Sequence, residues 1–333
     1  MPNTKNNKDL KVYFDLMLAN GASSLYRIVQ EMEILNAYRP GEIFSATDLA
    51  EKHQFKVGPT KVLLDSLSTM GLVVKKGESY SISNVMHLLK GNYQNLSSEY
   101  WAHLPTLLKS GTPFKKMDAV ENSEKEYQVQ VKSLEWMMGP CAELTAQMVS
   151  ELYPEKETKN ASINVLDVGA GSGVWGFNFL YANPNATCTL ADWPAVLKVA
   201  RDTSERNKIS SRVSYIEGNF HQTNFGEPRF DYATLGNVTH IQTPDENKNI
   251  FKKIYNALLP GGRLIILDAY GKVEEGAMAR ALYQMGLTIR TVQGKVYQPE
   301  ELEPWLKEAG FTSFEFHSID VVPHSMGMFI AKK

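Results

Sequence analysis

Apolar positions change their spacing along this chain, and the changes mark out its elements. After a polar leader, MPNTKNNKDLK, the residues Tyr13, Leu16, Met17, Leu25, Ile28 and Val29 recur at helical intervals. Ser45 is a candidate N-cap for a short helix ending near His53. Pro59 is predicted to open a second helix carrying Val62, Leu63, Leu64 and Leu67, which Gly71 would stop. Residues 72–74 and 80–82 then read as a short hairpin around Lys76-Gly77-Glu78. From about 112 to 158 the pattern is helical again, including VKSLEWMMGPCAELTAQMVSELY, with Gly139-Pro140 as a predicted interruption.

From Ile163 onward strands alternate with helices. INVLDVG, ATCTLAD, RVSYIEG, FDYATLGN and GRLIILDAY are the strand segments, and FEFHSID with GMFIAKK looks like a closing pair. Apolar strands separated by amphipathic helices predict an α/β fold with a mostly parallel sheet covered on both faces. The domain reading is therefore 1–110, linking helices over 111–160, and the α/β domain over 161–333. Helix, turn, helix and hairpin in that order make the first part a winged-helix module. A DNA-reading second helix needs several basic or amide side chains aimed at the groove. This one offers Lys61, with Thr60, Asp65 and Ser66 as its other polar residues, so packing and dimerisation is the favoured role over DNA binding.

The bulk properties narrow the classes further. A length of 333 residues fits about two domains, and 43% hydrophobic with 22% charged residues is ordinary for a globular protein. A net charge of -2 gives no electrostatic reason to expect nucleic acid or an anionic membrane as partner. Cys141 and Cys188 are too few for a disulfide framework and lack metal-ligand spacing, which points to buried thiols in a reducing compartment. No signal-like apolar segment follows the leader, and no run reaches the roughly 20 apolar residues of a membrane span. A cytoplasmic location is the expectation.

Candidate chemistry begins at VLDVGAGSG, residues 165–173, where a buried strand runs into Gly169, Gly171 and Gly173 ahead of a helix. Glycines permit a tight turn and a close ligand approach. The third glycine follows the second by two residues, and Asp167 precedes the turn, where a carboxylate would repel a pyrophosphate but attract a cationic amino-acid ligand. Asp192 ends the second strand, 19 residues beyond Gly173, at the place from which an acidic side chain accepts from ribose hydroxyls. It also suits an N-cap, since Asp-Trp-Pro is a helix start. Asn219 and Phe220, after the third strand, could meet an adenine edge and face, or be a turn residue and a core aromatic.

Together these segments resemble the class I S-adenosylmethionine-dependent O-methyltransferases of the plant caffeate and hydroxyindole type, with their bacterial secondary-metabolite relatives. The resemblance runs through the winged-helix module, the glycine motif, ADWPAVL, EGNF, NVTHIQTPDEN, LLPGGRLIILD and EELEPWLKEAGF. It implies a Rossmann-like, seven-stranded methyltransferase sheet, a homodimer, and S-adenosylmethionine as cofactor with S-adenosylhomocysteine as product and no metal. It implies that Asp192 holds the ribose, with Trp193 and Asn237 beside the cofactor. His240 takes the family's catalytic-base position, and Asp268, 28 residues on, takes that of the acidic residue that orients the base.

Four departures stand out. Asn219 replaces the usual Asp, Gly236 replaces the plant members' lysine, and Val296 replaces their second glutamate; Asp268 is also one methylene shorter than the usual Glu. The other histidines, His53, His87, His103, His221, His317 and His324, have no comparable support. The acceptor implied is a phenolic or enolic hydroxyl of a small aromatic metabolite. Trp136, Met137, Met138 and Met285 are pocket candidates, because a flat apolar acceptor needs adaptable apolar walls. The alternatives are C- or N-methylation at the same site, a non-catalytic protein that binds the cofactor, and a DNA-binding winged-helix regulator.

Overall fold

A computed structural model describes residues 4–39, 41–89, 94–154, 162–270, 276–322 and 326–333. His324 and the side chain of His87 lie outside the described residues. The chain divides into two compact units, Met1–Ser97 and Ser98–Lys333.

In the first unit, α1 (Thr4–Glu31) gives only Tyr26 and Val29 to the buried core. Leu10, Tyr13, Phe14, Leu16, Met17 and Leu18 on the same helix are exposed. The short helix α2 (Ala46–His53) starts at a capping box: the Ser45 hydroxyl accepts from the Asp48 N–H at 3.1 Å, and the Asp48 carboxylate accepts from the Ser45 N–H at 2.7 Å. Pro59 does not open α3 (Val57–Thr69); the helix begins two residues earlier, and the proline falls in its first turn, where a missing N–H is harmless. The strands β2 (Val73–Lys76) and β3 (Ser79–Ile82) form the expected hairpin. A third strand, β1 (Ile43–Ser45), pairs antiparallel with β3, giving the order β1-β3-β2. A four-residue helix, α4 (Val85–Leu88), follows.

The second unit opens with α5 (Ser98–Ser110), α6 (Val120–Gln130) and α7 (Leu134–Leu152). Gly139-Pro140 does not interrupt α7. A proline there blocks the hydrogen bond to the Trp136 carbonyl, but Met138, Cys141, Ala142, Thr145, Ala146 and Val149 form one buried stripe that holds the helix in line.

Beyond α7 lies a seven-stranded sheet. Its strands are β4 (Asn164–Val168), β5 (Thr187–Asp192), β6 (Val213–Glu217), β7 (Phe230–Gly236), β8 (Leu258–Asp268), β9 (Ser313–Ser318) and β10 (Gly327–Lys332). The order is β6-β5-β4-β7-β8-β10-β9, parallel from β6 to β8, with β10 antiparallel to both its neighbours. Alternate residues of the central strands feed two cores. Val165, Leu190, Tyr232 and Ile265 pack with α7 and with α8 (Val174–Ala182). Leu166, Ala191, Ala233 and Leu264 pack with Ile250, Phe251 and Ile254 of α10 (Pro244–Ala257) and with Leu302 and Leu306 of α12 (Pro299–Ala309). Burial on both faces is why these strands read as continuous apolar runs. The remaining helices are α9 (Pro194–Arg206) and α11 (Ala277–Arg290).

Candidate functional site

The C-terminal ends of β4, β5, β6 and β7 border one cleft, lined by Gly169, Gly171, Asp192, Trp193, Asn219, Phe220 and Asn237, with α6 and its approach supplying Asp118, Ser123 and Tyr127. Ligands in open α/β sheets bind in this place, where the strand order reverses. Gly169 has φ +66°, and an added Cβ would lie 2.5 Å from the Val238 side chain, so only glycine lets the loop pass under the cleft. Gly173 sits behind, as the residue from which α8 starts.

Asp192 ties two loops together. One carboxylate oxygen accepts from the Gly171 N–H at 2.8 Å and the other from the Trp193 N–H at 2.7 Å. Burial pushes its carboxyl up to about 6 against the pull of those two N–H groups, and the charge of Glu124 adds to the rise. The Asn219 side chain accepts from the His221 N–H at 2.9 Å, and Phe220 is buried along one wall. Asn237 has the left-handed φ of 59°, and its buried amide oxygen has no hydrogen-bond partner among the described residues. His221 meets the Gln242 side chain at 2.5 Å through Nε2, and its buried Nδ1 has no partner among the described residues. Burial lowers the His221 pKa, opposed by the Gln242 bond.

Asp167 is placed differently from its neighbours in sequence. It is fully buried, and its oxygens accept from the Gly176 N–H at 2.9 Å and the Thr234 hydroxyl at 2.8 Å, towards α8 and β7. Burial raises its carboxyl to about 7, against those two bonds and with help from the charge of Asp192.

A second cluster lies at the ends of β7 and β8. His240, in a 3-10 turn over Thr239–Ile241, is buried, with Nδ1 2.8 and 3.0 Å from the two oxygens of Asp268. The one-methylene-shorter acid therefore reaches the ring. Asp268 also accepts from the Thr239 hydroxyl at 2.6 Å and the Ala269 N–H at 2.8 Å. Burial alone would raise its carboxyl, but the charge of His240 and these three donors together hold it below its ordinary value. An ionised carboxylate only accepts, so His240 Nδ1 carries a proton, and in the neutral imidazole Nε2 then offers the lone pair. That nitrogen lies 3.1 Å from the hydroxyl of Tyr283 on α11, with the two rings edge-on at 5.5 Å.

Thr239 and Tyr283 were not found from sequence. Thr239 adjoins the histidine, but no spacing rule marks it; Tyr283 is 43 residues away, with no local signal. Gly236 cannot carry the lysine of the plant members, because any Cβ there would meet the buried Trp175 ring at 2.2 Å. Position 296 carries a valine, whose N–H donates to the Gln284 side chain at 2.8 Å, so this position supplies no carboxylate to His240. The four pocket candidates are not brought to the cleft. Met137 and Met138 pack against the core behind α7, Trp136 is 38% exposed along an outer groove with Glu143 and Tyr181, and Met285 is 36% exposed on α11.

Comparison with known proteins places this geometry. The model of a family described as O-methyltransferase domain matches residues 123–312. L-tyrosine C(3)-methyltransferase of Streptomyces lavendulae is 29% identical over 59% of this chain and 53% of its own length. Demethylspheroidene O-methyltransferase of Rhodobacter capsulatus is 30% identical over 44% of this chain and 36% of its own. The chain thus spans about half, or less, of the length of these curated relatives. The crystal structure of human N-acetylserotonin methyltransferase in complex with S-adenosylmethionine shares the fold, with a TM-score of 0.70 at 19% identity over 98% of this chain and 97% of that one.

Proposed function

The chain belongs to the O-methyltransferase domain family, and on that premise we propose that it methylates a phenolic or enolic hydroxyl of a small aromatic metabolite, with S-adenosylmethionine as methyl donor and His240 as general base. The observation that carries the reading is the buried His240–Asp268 pair, with Nε2 directed at a phenolic hydroxyl.

The cleft suits the cofactor. Asp192 offers carboxylate oxygens for ribose hydroxyls, and Phe220 offers a face for a flat base. Asn237 Oδ1 and His221 Nδ1 are buried acceptors with no donor among the described residues, and ribose hydroxyls, an ammonium and an adenine amino group are all donors. Gly169, Gly171, Trp193 and Asn219 complete that surface, while Asp167 and Gly173 support it from behind. When bound, S-adenosylmethionine supplies a methyl group already activated by a positively charged sulfur.

The chain's own part is to hold the acceptor oxygen in line and to remove its proton. A phenol titrates near 10, so at neutral pH it is almost wholly un-ionised and a positioned imidazole assists. His240 Nε2 takes the proton, and Asp268 stabilises the resulting imidazolium through Nδ1–H. Thr239 and Ala269 keep Asp268 in place. Such assistance is worth roughly 10² to 10⁴ in rate. A base that ionises a phenol spreads charge onto ring carbons as well as oxygen, and one relative is named for methylating carbon; C-methylation is therefore the second reading. We further propose a homodimer, supported by the exposed apolar residues of α1, and no nucleic-acid partner, since Lys61 is already paired with Glu78 at 3.0 Å.

The test is calorimetric titration with S-adenosylmethionine and S-adenosylhomocysteine, repeated on Asp192→Ala, followed by a phenolic acceptor screen on wild type and His240→Ala. Micromolar binding that Asp192→Ala weakens, with turnover that His240→Ala abolishes, supports the reading. Absence of binding by wild type would sink it, and a C-methylated product would decide for the second.

A further inference from the structure

The hydroxyl of Tyr283 stands where the acceptor's hydroxyl must stand. A neutral imidazole protonated on Nδ1 has a single in-plane lone pair, at Nε2, and that lone pair serves one strong donor at a time. Tyr283 Oη is 3.1 Å from it, and the phenol meets the imidazole edge-on with an interplanar angle of 82°. His240 is otherwise enclosed, its ring 6% exposed and its other nitrogen committed to Asp268. The acceptor and Tyr283 therefore compete for one atom.

The end of α11 is held by bonds on several sides. The carbonyls of Ile289 and Arg290 accept from the N–H groups of Phe114 and Met117 at 2.6 and 2.9 Å. Gln284, next to Tyr283, bridges the Gly294 carbonyl and the Val296 N–H at 3.1 and 2.8 Å. The Lys295 N–H, in the segment that follows, donates to the His240 carbonyl at 2.8 Å. The helix is stapled around the base from several sides, so a side-chain rotation of Tyr283 frees Nε2 without moving the backbone.

We propose that Tyr283 is an internal stand-in for the acceptor: its phenol occupies the acceptor-hydroxyl position on His240 in the ligand-free protein and yields it when an acceptor binds. The proposal rests on the reading of His240 as base. It assigns Tyr283 a positioning and specificity role. An incoming hydroxyl must be at least as good a donor as a tyrosine phenol, so phenols and enols win the exchange and aliphatic alcohols lose it. Removing the competitor strengthens acceptor binding by about the worth of one net hydrogen bond, roughly three- to tenfold.

The experiment follows the ring nitrogens of ¹⁵N-histidine-labelled protein by NMR, with the His240 signals identified by their loss in His240→Gln. The probe is p-cresol, the tyrosine side chain as a free molecule, with benzyl alcohol as its aliphatic counterpart. In Tyr283→Phe, which keeps the ring and its packing, the Nε2 signal is expected to shift to that of an unbonded acceptor nitrogen. Addition of p-cresol returns it, with a Kd about fivefold below that for wild type, and benzyl alcohol does not. Tyr283→Ala should behave likewise, with the other histidine signals reporting an intact fold. An Nε2 signal that Tyr283→Phe leaves unchanged, equal p-cresol affinity in wild type and Tyr283→Phe, or no return of the signal would each overturn the proposal. None of these readouts needs cofactor or turnover, so failure of the methyltransferase reading would show separately, as wild type that binds no S-adenosylmethionine.

Discussion

Replacing Asp167 by Asn should stabilise the protein, and increasingly so as pH rises. The carboxyl is fully buried and raised from 3.8 to about 7, with desolvation as the main cause. Because the folded-state value lies above the unfolded one, the folded protein binds the extra proton between those values, and stability is lost as pH climbs from about 4 through 7. At about 1.4 kcal/mol per unit, the full loss above pH 7 is on the order of 4 kcal/mol. An asparagine is isosteric and escapes it. Its oxygen accepts from the Gly176 N–H as the carboxylate does, and its amide donates to the Thr234 hydroxyl, which turns round to accept. The gain of Asp167→Asn should therefore grow by roughly 2–3 kcal/mol between pH 5 and pH 8. At about 2–4 °C per kcal/mol for a domain of this size, that is a melting-point difference that widens by about 4–12 °C. The assay is thermal unfolding of both proteins across that pH range, paired with titration of S-adenosylmethionine. Since both oxygens point away from the cleft, cofactor affinity should stay within about threefold, less than one charge-assisted hydrogen bond is worth. A variant no more stable at pH 8 than at pH 5, or one with cofactor affinity lost and stability unchanged, would refute the reasoning and return Asp167 to direct ligand contact.

Asp268→Asn keeps an oxygen for His240 Nδ1–H and for the Ala269 N–H but removes the charge that stabilises the imidazolium. A fall in kcat of about 10² to 10⁴ with cofactor affinity unchanged is expected from steady-state kinetics and calorimetry. Asp192 titrates near 6 in the free protein, and its ionised form is the better acceptor for ribose hydroxyls. Affinity for S-adenosylmethionine should accordingly fall up to tenfold per unit as pH drops below about 6. A parallel titration of Asp192→Asn should be flat over the same range.

The strands and their neighbours were readable because their signals are local. Alternate residues of β4 belong to opposite cores, and this same alternation puts Asp167 with Val165, on the α8 side of the sheet. Motif reading aimed it at a ligand; period-two reading aims it at α8. Along α7 the spacing of Met138, Cys141, Ala142, Thr145, Ala146 and Val149 marks a core stripe, and that packing overrides the local tendency of Pro140 to end a helix. β1 is three residues long, too short for any periodicity, and exists because β3 offers it an edge. His240 and Asp268 could be paired through the family resemblance. Tyr283 could not, because its approach depends on how α11 packs against α5 and on nothing adjacent to it in the chain.

The pairing of Gly236 with Leu267 is the last rung between β7 and β8, and the Asn237 N–H adds one more bond to the Leu267 carbonyl at 2.8 Å. The distance between His240 and Asp268 is thereby written into a backbone ladder, while Tyr283, which faces His240, is carried by the helix α11. A change within such a helix would therefore alter the surface beside His240 and leave the spacing of His240 and Asp268, which the ladder sets, where it is.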